Sequence, residues 1–254
     1  MGWQIFCCPI LFCRNSFIPQ NKNLFCYLAI VGKYSNKVRV SLPVFIFCSI
    51  LIGIVPIIIG EVFHLDPEFL NRVEQKYGNS ARKLLVTWED MITSDTSKTD
   101  REKLEKVNRF FNQVEYREYI YHWGQKDYWA TPIEFLVTFG GDCEDYTIAK
   151  YFTLKAMGMA DEKLNLTYVK ALTYNVHHMV LTYYSTPGSE PLVLDNIEPD
   201  ILPASQRQDL LPIYSFNGTG LWLAKERGKG KFAGSSSRLQ RWQDLMSRIS
   251  AGNI

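Results

Sequence analysis

Acidic residues are missing from the first sixty positions of this 254-residue chain, which hold Arg14, Lys22, Lys33, Lys37 and Arg39 but no Asp or Glu. The whole chain has 28 basic and 26 acidic residues, so the part beyond residue 60 keeps 23 bases against 26 acids. Cysteine is scarce in that second part: Cys7, Cys8, Cys13, Cys26 and Cys48 precede it, and only Cys143 lies within it. A single thiol excludes a disulfide framework there. The chain also lacks internal repeats and biased tracts, which excludes solenoid, collagen-like and disordered architectures. A formal net charge of +2 gives no whole-chain argument for nucleic acid, and none is expected as a partner.

Charge of either sign is missing between Arg39 and Glu61, a run whose core reads VFIFCSILIGIVPIIIG. A basic flank followed by an apolar run is shared by secretory signals and amino-terminal membrane anchors. Residues 1–60 are therefore expected to be a signal peptide or anchor that carries the chain to or across a membrane. The forty residues ahead of the run are long for a signal, and the next Met after Met1 is Met91. Residues 1–31 are thus expected to include a start assigned too far upstream.

From residue 61 the signals are helical. Asp66-Pro67 reads as an N-cap with proline in the first turn, and Gly78 as a stop. Ser80 is placed to cap a second helix with Leu84, Leu85, Trp88, Met91 and Ile92 on its apolar face. Thr99 and Glu102 form a capping box ahead of Leu104, Val107, Phe110, Phe111 and Val114. Thr131-Pro132 with Glu134 starts a further helix, and FGGDCEDYTIAKYFTLKAMG predicts a glycine turn followed by a helix from about Asp142 to Gly158. Thereafter the period becomes two, with strands expected over 166–173, 178–185 and 191–195 and a strand or hairpin over 212–224. Helices followed by an antiparallel sheet make an α+β fold over 61–224. Residues 225–254 divide into a basic, Gly/Ser-rich link over 225–238, expected to be flexible, and a last amphipathic helix. That helix carries Leu239, Trp242, Leu245, Met246 and Ile249 on one face and is expected to dock on the domain.

Cys143 follows Gly140-Gly141 at the expected amino end of a helix. The helix dipole and free amides there favour a thiolate, and the cysteine's own amide can help to hold an oxyanion. Position alone leaves two readings, a nucleophile or a small buried hydrophobe. A nucleophile needs a base, and the base an orienting group. Of His64, His122, His177 and His178, the last two open the expected strand HMVLTYY. Asp195 closes the strand PLVLDN seventeen residues after His178. Adjacent antiparallel strands bring an opening residue beside a closing one, so a His178–Asp195 hydrogen bond is natural. His177 then points to the other face. Asp142, Glu144 and Asp145 crowd the thiol, and like charge raises a thiol pKa. They either stabilise the helix start or bind a hard cation, most simply calcium. No D-x-D-x-D-G loop is present, so an EF-hand is excluded.

Taken together, GGDCEDYTIAKYFTLKAMG, HMVLTYY, PLVLDN and the upstream DYWATPIEFL resemble the bacterial transglutaminase-like cysteine proteinases from roughly Phe63 to Ala224. The resemblance implies a papain-like, transglutaminase-type core with Cys143 as nucleophile, His178 as base and Asp195 as orienter. It implies calcium dependence, with Asp142, Glu144 and Asp145 as ligands. It also implies a periplasmic endopeptidase that cleaves the amino-terminal region of a large surface adhesin, held in check by an inner-membrane cyclic di-GMP receptor. Trp129 is expected to add its indole to the oxyanion hole. The same residues would serve a transglutaminase-type acyl transfer, or a non-catalytic module that binds an adhesin or receptor.

Overall fold

Among the described residues, the first helix begins where the sequence places a cap at Asp66. The computed structural model describes residues 63–94, 98–118, 123–125, 128–225 and 228–251, all within the unit Ile57–Ile254. The expected signal or anchor, the questioned start, the five early cysteines and His122 lie outside the described residues. Among the described residues, no helix is long and apolar enough to cross a membrane.

Helix α1 spans Pro67–Tyr77 and is capped by Asp66, whose Oδ1 accepts from the Glu68 and Phe69 amides at 2.7 and 3.0 Å. Gly78, with φ 88°, ends it and starts α2, Asn79–Thr93, in a single residue. That left-handed turn leaves no linker to hold a side-chain cap, so Ser80 lies inside α2 rather than capping it. Helix α3, Asp100–Phe111, and α4, Pro132–Val137, each carry a complete capping box, Thr99 with Glu102 and Thr131 with Glu134. Helix α5, Cys143–Ala156, is buried on nearly all sides, as a central helix must be.

Two short strands, β1 (Glu115–Tyr116) and β2 (Gly140–Gly141), pair in parallel just ahead of α5. The main sheet follows: β3 (Leu164–Ala171), β4 (Val176–Tyr183), β5 (Leu192–Leu194), β6 (Leu202–Pro203), β7 (Leu210–Phe216), β8 (Gly220–Lys225) and β9 (Gly228–Ser235). Their spatial order is β6-β5-β4-β3-β7-β8-β9, antiparallel throughout. Helix α5 packs on β3 and β4, and the α+β arrangement expected from the sequence is observed.

Two differences matter. The β3–β4 hairpin turns at 172–175, where Asn175 takes φ 55°. The strands therefore sit two residues earlier than their apolar pattern suggests, and His177 and His178 lie inside β4 rather than opening it. The expected flexible link is instead strand β9, which pairs Leu221 with Gly234 and Trp222 with Phe232. It is an outer strand whose order comes from backbone pairing, and lysine and glycine on such an edge are compositionally like a linker.

The last helix, α6 (Gln240–Ser250), packs onto the domain. Trp242 is buried, stacks on Phe152 at 5.7 Å and meets Phe216 edge-on at 5.3 Å. Arg248 Nη1 donates to Glu134 Oε2 at 2.6 Å, which pins α6 to the start of α4.

Candidate active site

The site is built at the amino end of α5. Gly141 is required there: a Cβ would stand 2.4 Å from Asp145 Oδ2, closer than any contact a side chain tolerates. Asp145 is fully buried. Its Oδ1 accepts from the Ala130 amide at 2.7 Å, and its Oδ2 accepts from Trp123 Nε1 at 3.1 Å and the Asp142 amide at 3.2 Å. It thus fastens the helix start to the segment carrying Trp123 and Ala130. Burial outweighs these donors and lifts its carboxyl to about 7.

Cys143 is the first residue of α5, and its thiol donates to Glu144 Oε2 at 2.7 Å. Burial, then Glu144 and Asp142, push the thiol well above its ordinary value, while the Met179 amide beside it works the other way. Burial, then Asp145 and Glu144, lift the Asp142 carboxyl to about 9. Asp142 Oδ1 is buried with no hydrogen-bond partner. This half of the site holds more negative potential than its own donors can satisfy.

The other half is complete. His178 is 3 % exposed and its Nε2 lies 2.7 Å from Asp195 Oδ1, the pair expected from strand topology. Its Nδ1 is the ring nitrogen that this bond leaves over. Asp195 Oδ1 also accepts from the Ile197 amide at 3.0 Å, and Oδ2 accepts from Arg207 Nη2 at 2.8 Å. Its backbone carbonyl accepts from Asn112 Nδ2 at 2.8 Å and from Lys150 Nζ at 3.0 Å. Burial works to raise the Asp195 pKa, but the bonds from His178, Ile197 and Arg207 win and hold it far below the usual carboxylate range.

The halves meet at β4. Thr147 Oγ1, one turn along α5, lies 2.8 Å from the Cys143 carbonyl and 2.9 Å from the Met179 carbonyl. Met179 follows His178 directly. His177 is exposed on the opposite face and stacks on Tyr168 at 5.3 Å. His64 Nδ1 lies 2.7 Å from Glu89 Oε1, a tie between α2 and the segment ahead of α1.

A family model described as "Bacterial transglutaminase-like cysteine proteinase BTLCP" matches residues 79–223, more than half of the chain. The chain belongs to the bacterial transglutaminase-like cysteine proteinases. Among solved structures, EGTA-treated Legionella pneumophila LapG is 46% identical, with TM-score 0.64 over 73% of this chain and 98% of that one. Calcium-bound Legionella pneumophila LapG is 47% identical, with TM-score 0.63 over 73% of this chain and 99% of that one. No curated protein matches the chain.

A calcium-bound relative makes the acids around Cys143 the place to test for a metal. Asp142 fits, because an orphaned buried carboxylate oxygen is a donor of the type calcium takes. Glu144 fits as its exposed-side neighbour on the same turn. Asp145 has a structural part as well: both of its oxygens accept N–H donors, so it braces the helix start. Among the described residues, no group of three or more His, Cys, Asp or Glu side chains is gathered as a cage. Trp129 is buried in the core. Its ring stacks on Phe216 at 5.7 Å and 9°, and its carbonyl accepts from Arg248, so its described contacts belong to the core rather than to an oxyanion hole. The sequence reading passed over Arg207, Lys150 and Asn112. Lys150 could have been suspected as a cation seven residues after Cys143 on the same face of a buried helix; Arg207 and Asn112 carry no comparable signal.

Proposed function

We propose that this protein is a periplasmic, calcium-dependent cysteine endopeptidase that cleaves the amino-terminal region of a large surface adhesin and so controls surface attachment. The observation that carries the reading is the buried His178–Asp195 bond of 2.7 Å on the strand that flanks the cysteine helix, in a cysteine proteinase family member. Asp195 holds Nε2 and thereby presents Nδ1 as the proton acceptor. In the reaction, His178 takes the proton that Cys143 now gives to Glu144, and the sulfur attacks a substrate carbonyl. The Cys143 amide at the helix start stabilises the oxyanion. The amine leaves with the proton from His178, and water then releases the acyl-enzyme.

Asp142 and Glu144 are the oxygens that would hold calcium, with Asp145 bracing the turn from within. Bound there, calcium supplies positive charge that offsets the repulsion raising the Cys143 pKa. The basic flank and apolar run of the amino-terminal segment, a pattern shared by export signals, support the periplasm, and similarity to LapG supports an adhesin as substrate and an inner-membrane cyclic di-GMP receptor as regulator.

The test is incubation of the purified protein with the amino-terminal region of a large adhesin and calcium. Two fragments are expected, lost on Cys143→Ala and on chelation. A ladder of cross-linked products would mean acyl transfer, and binding without any product would overturn both enzymatic readings.

A further inference from the structure

Asp195 could in principle hold His178 with one oxygen and leave the other to solvent. It does not: the second oxygen belongs to Arg207. Arg207 lies at the end of a short 3-10 turn, Ala204–Gln206, between β6 and β7, and is 6 % exposed. Its Nη2 donates to Asp195 Oδ2 at 2.8 Å and to Asp209 Oδ2 at 2.9 Å, and its Nε donates to Asp209 Oδ1 at 3.0 Å. Asp209 is half in solvent, so the guanidinium is clamped from outside by one carboxylate and aimed at the other. Arg207 Nη1 is buried without a hydrogen-bond partner among the described residues. An arrangement that buries a charge and orphans a donor is a poor way to gain stability, since apolar replacements of buried ion pairs are often neutral or better.

We propose that Arg207 is a positioning residue for the His178–Asp195 pair. Two donors on one carboxylate, Ile197 N on Oδ1 and Arg207 on Oδ2, define its plane and turn Oδ1 toward His178 Nε2. The imidazole is thereby fixed in the tautomer that carries its proton on Nε2 and leaves Nδ1 free to act as base. A fork is needed for this: the guanidinium must reach Asp195 and Asp209 at once, which one ammonium cannot do in the same plane. Arg207 also lines a groove of about 690 Å³ on the sheet face beside Val169, Val180 and Val193, so a small cation can reach the place its side chain occupies.

The proposal rests on the endopeptidase reading for its kinetic consequence but not for its structural one. Arg207→Met is expected to lower kcat about 10–100-fold, the usual range for groups that orient a reactive side chain, with KM within about twofold. Arg207→Lys should fall between the two, and free guanidinium ion should restore part of the lost kcat in Arg207→Met only. In an Asp195→Asn background, Arg207→Met should add little, because the group it orients is already impaired. The second readout is the downfield His178 Nε2–H signal in proton–nitrogen spectra, which requires no substrate. It should be present in wild type, lost in Arg207→Met, and weakened in Asp209→Asn, a milder variant that only loosens the outer clamp. An unchanged His178 signal in folded Arg207→Met and Asp209→Asn protein overturns the proposal. So does a full loss of kcat on Arg207→Met in the Asp195→Asn background. If wild type cleaves no adhesin, the proposed function fails while the His178 signal still decides the role of Arg207.

Discussion

The two halves of the site differ in how completely the chain satisfies them. Around Asp195, every carboxylate oxygen and the backbone carbonyl have donors, drawn from the C-cap of α3, from α5, from β4 and from the β5–β6 and β6–β7 connections. Around Cys143, the thiol faces a carboxylate, a buried Asp142 oxygen has no donor, and the nearby acids lift one another. The contrast teaches that the His178–Asp195 pair is preformed by the fold, whereas Cys143 sits among acids that raise its pKa. Burying polar groups without partners is costly, so the deficit is informative only where something can fill it.

The largest expected effect separates the halves by chemistry. Cys143→Ala should abolish adhesin cleavage, measured as fragment yield, with the fold intact by circular dichroism. Asp195→Asn comes next: it leaves Arg207 facing a neutral amide in a buried site, and losing one partner of such a pair costs about 3–5 kcal/mol. Urea unfolding should show that loss, and a destabilisation below about 1 kcal/mol would mean that the ordered half is less tightly knit than its bonds imply.

A third experiment addresses the deficient half. Saturating calcium should raise the melting temperature of wild type, because a ligand at 100 times its Kd adds about 2.7 kcal/mol. Asp142→Asn should lose most of that rise. An equal rise in the variant would place calcium elsewhere.

The sequence made the skeleton of this comparison readable, and not its supports. Thr99-x-x-Glu102 and Thr131-x-x-Glu134 announced helix starts that the structure closes as capping boxes, because those bonds are local. The His178–Asp195 pairing was also legible, since antiparallel β4 and β5 bring the start of one strand back toward the end of the other. The supports were not, because their geometry is set by contacts distant in sequence. Arg207 reaches Asp195 across a turn of irregular backbone, and Asn112 arrives from α3. Lys150 was visible only as a cation on an otherwise buried helix. Asp145, counted with the metal ligands by the resemblance, also braces the helix start, because Ala130, Trp123 and that start all offer it donors. Strand β9 was hidden because edge pairing needs no apolar pattern.

Lys150 offers a smaller probe of the ordered half. Burial lowers its pKa to about 7, with the Asp195 charge opposing. A base depressed in the folded state binds fewer protons there than when unfolded. The unfolded lysine titrates near 10.4, so its contribution should rise with pH between about 7 and 10. Denaturation in urea at pH 7 and pH 9 should therefore show a larger gain in stability for wild type than for Lys150→Met. Equal gains would mean that Lys150 stays charged in the fold. Smallest of all is Thr147→Val, which removes the hydroxyl joining the halves. It should cost about 1 kcal/mol and lower cleavage a few-fold without altering calcium binding by calorimetry.

The central claim is that calcium acts on the Cys143 half while the His178 half is already formed. The direct measurement is a calcium titration of histidine-labelled protein, with the His178 imidazole signals and adhesin cleavage followed in the same samples. The account predicts that cleavage switches from absent to full while the His178 Nε2–H signal is present throughout and barely shifts. A His178 signal that is missing without calcium and appears in step with activity would contradict it.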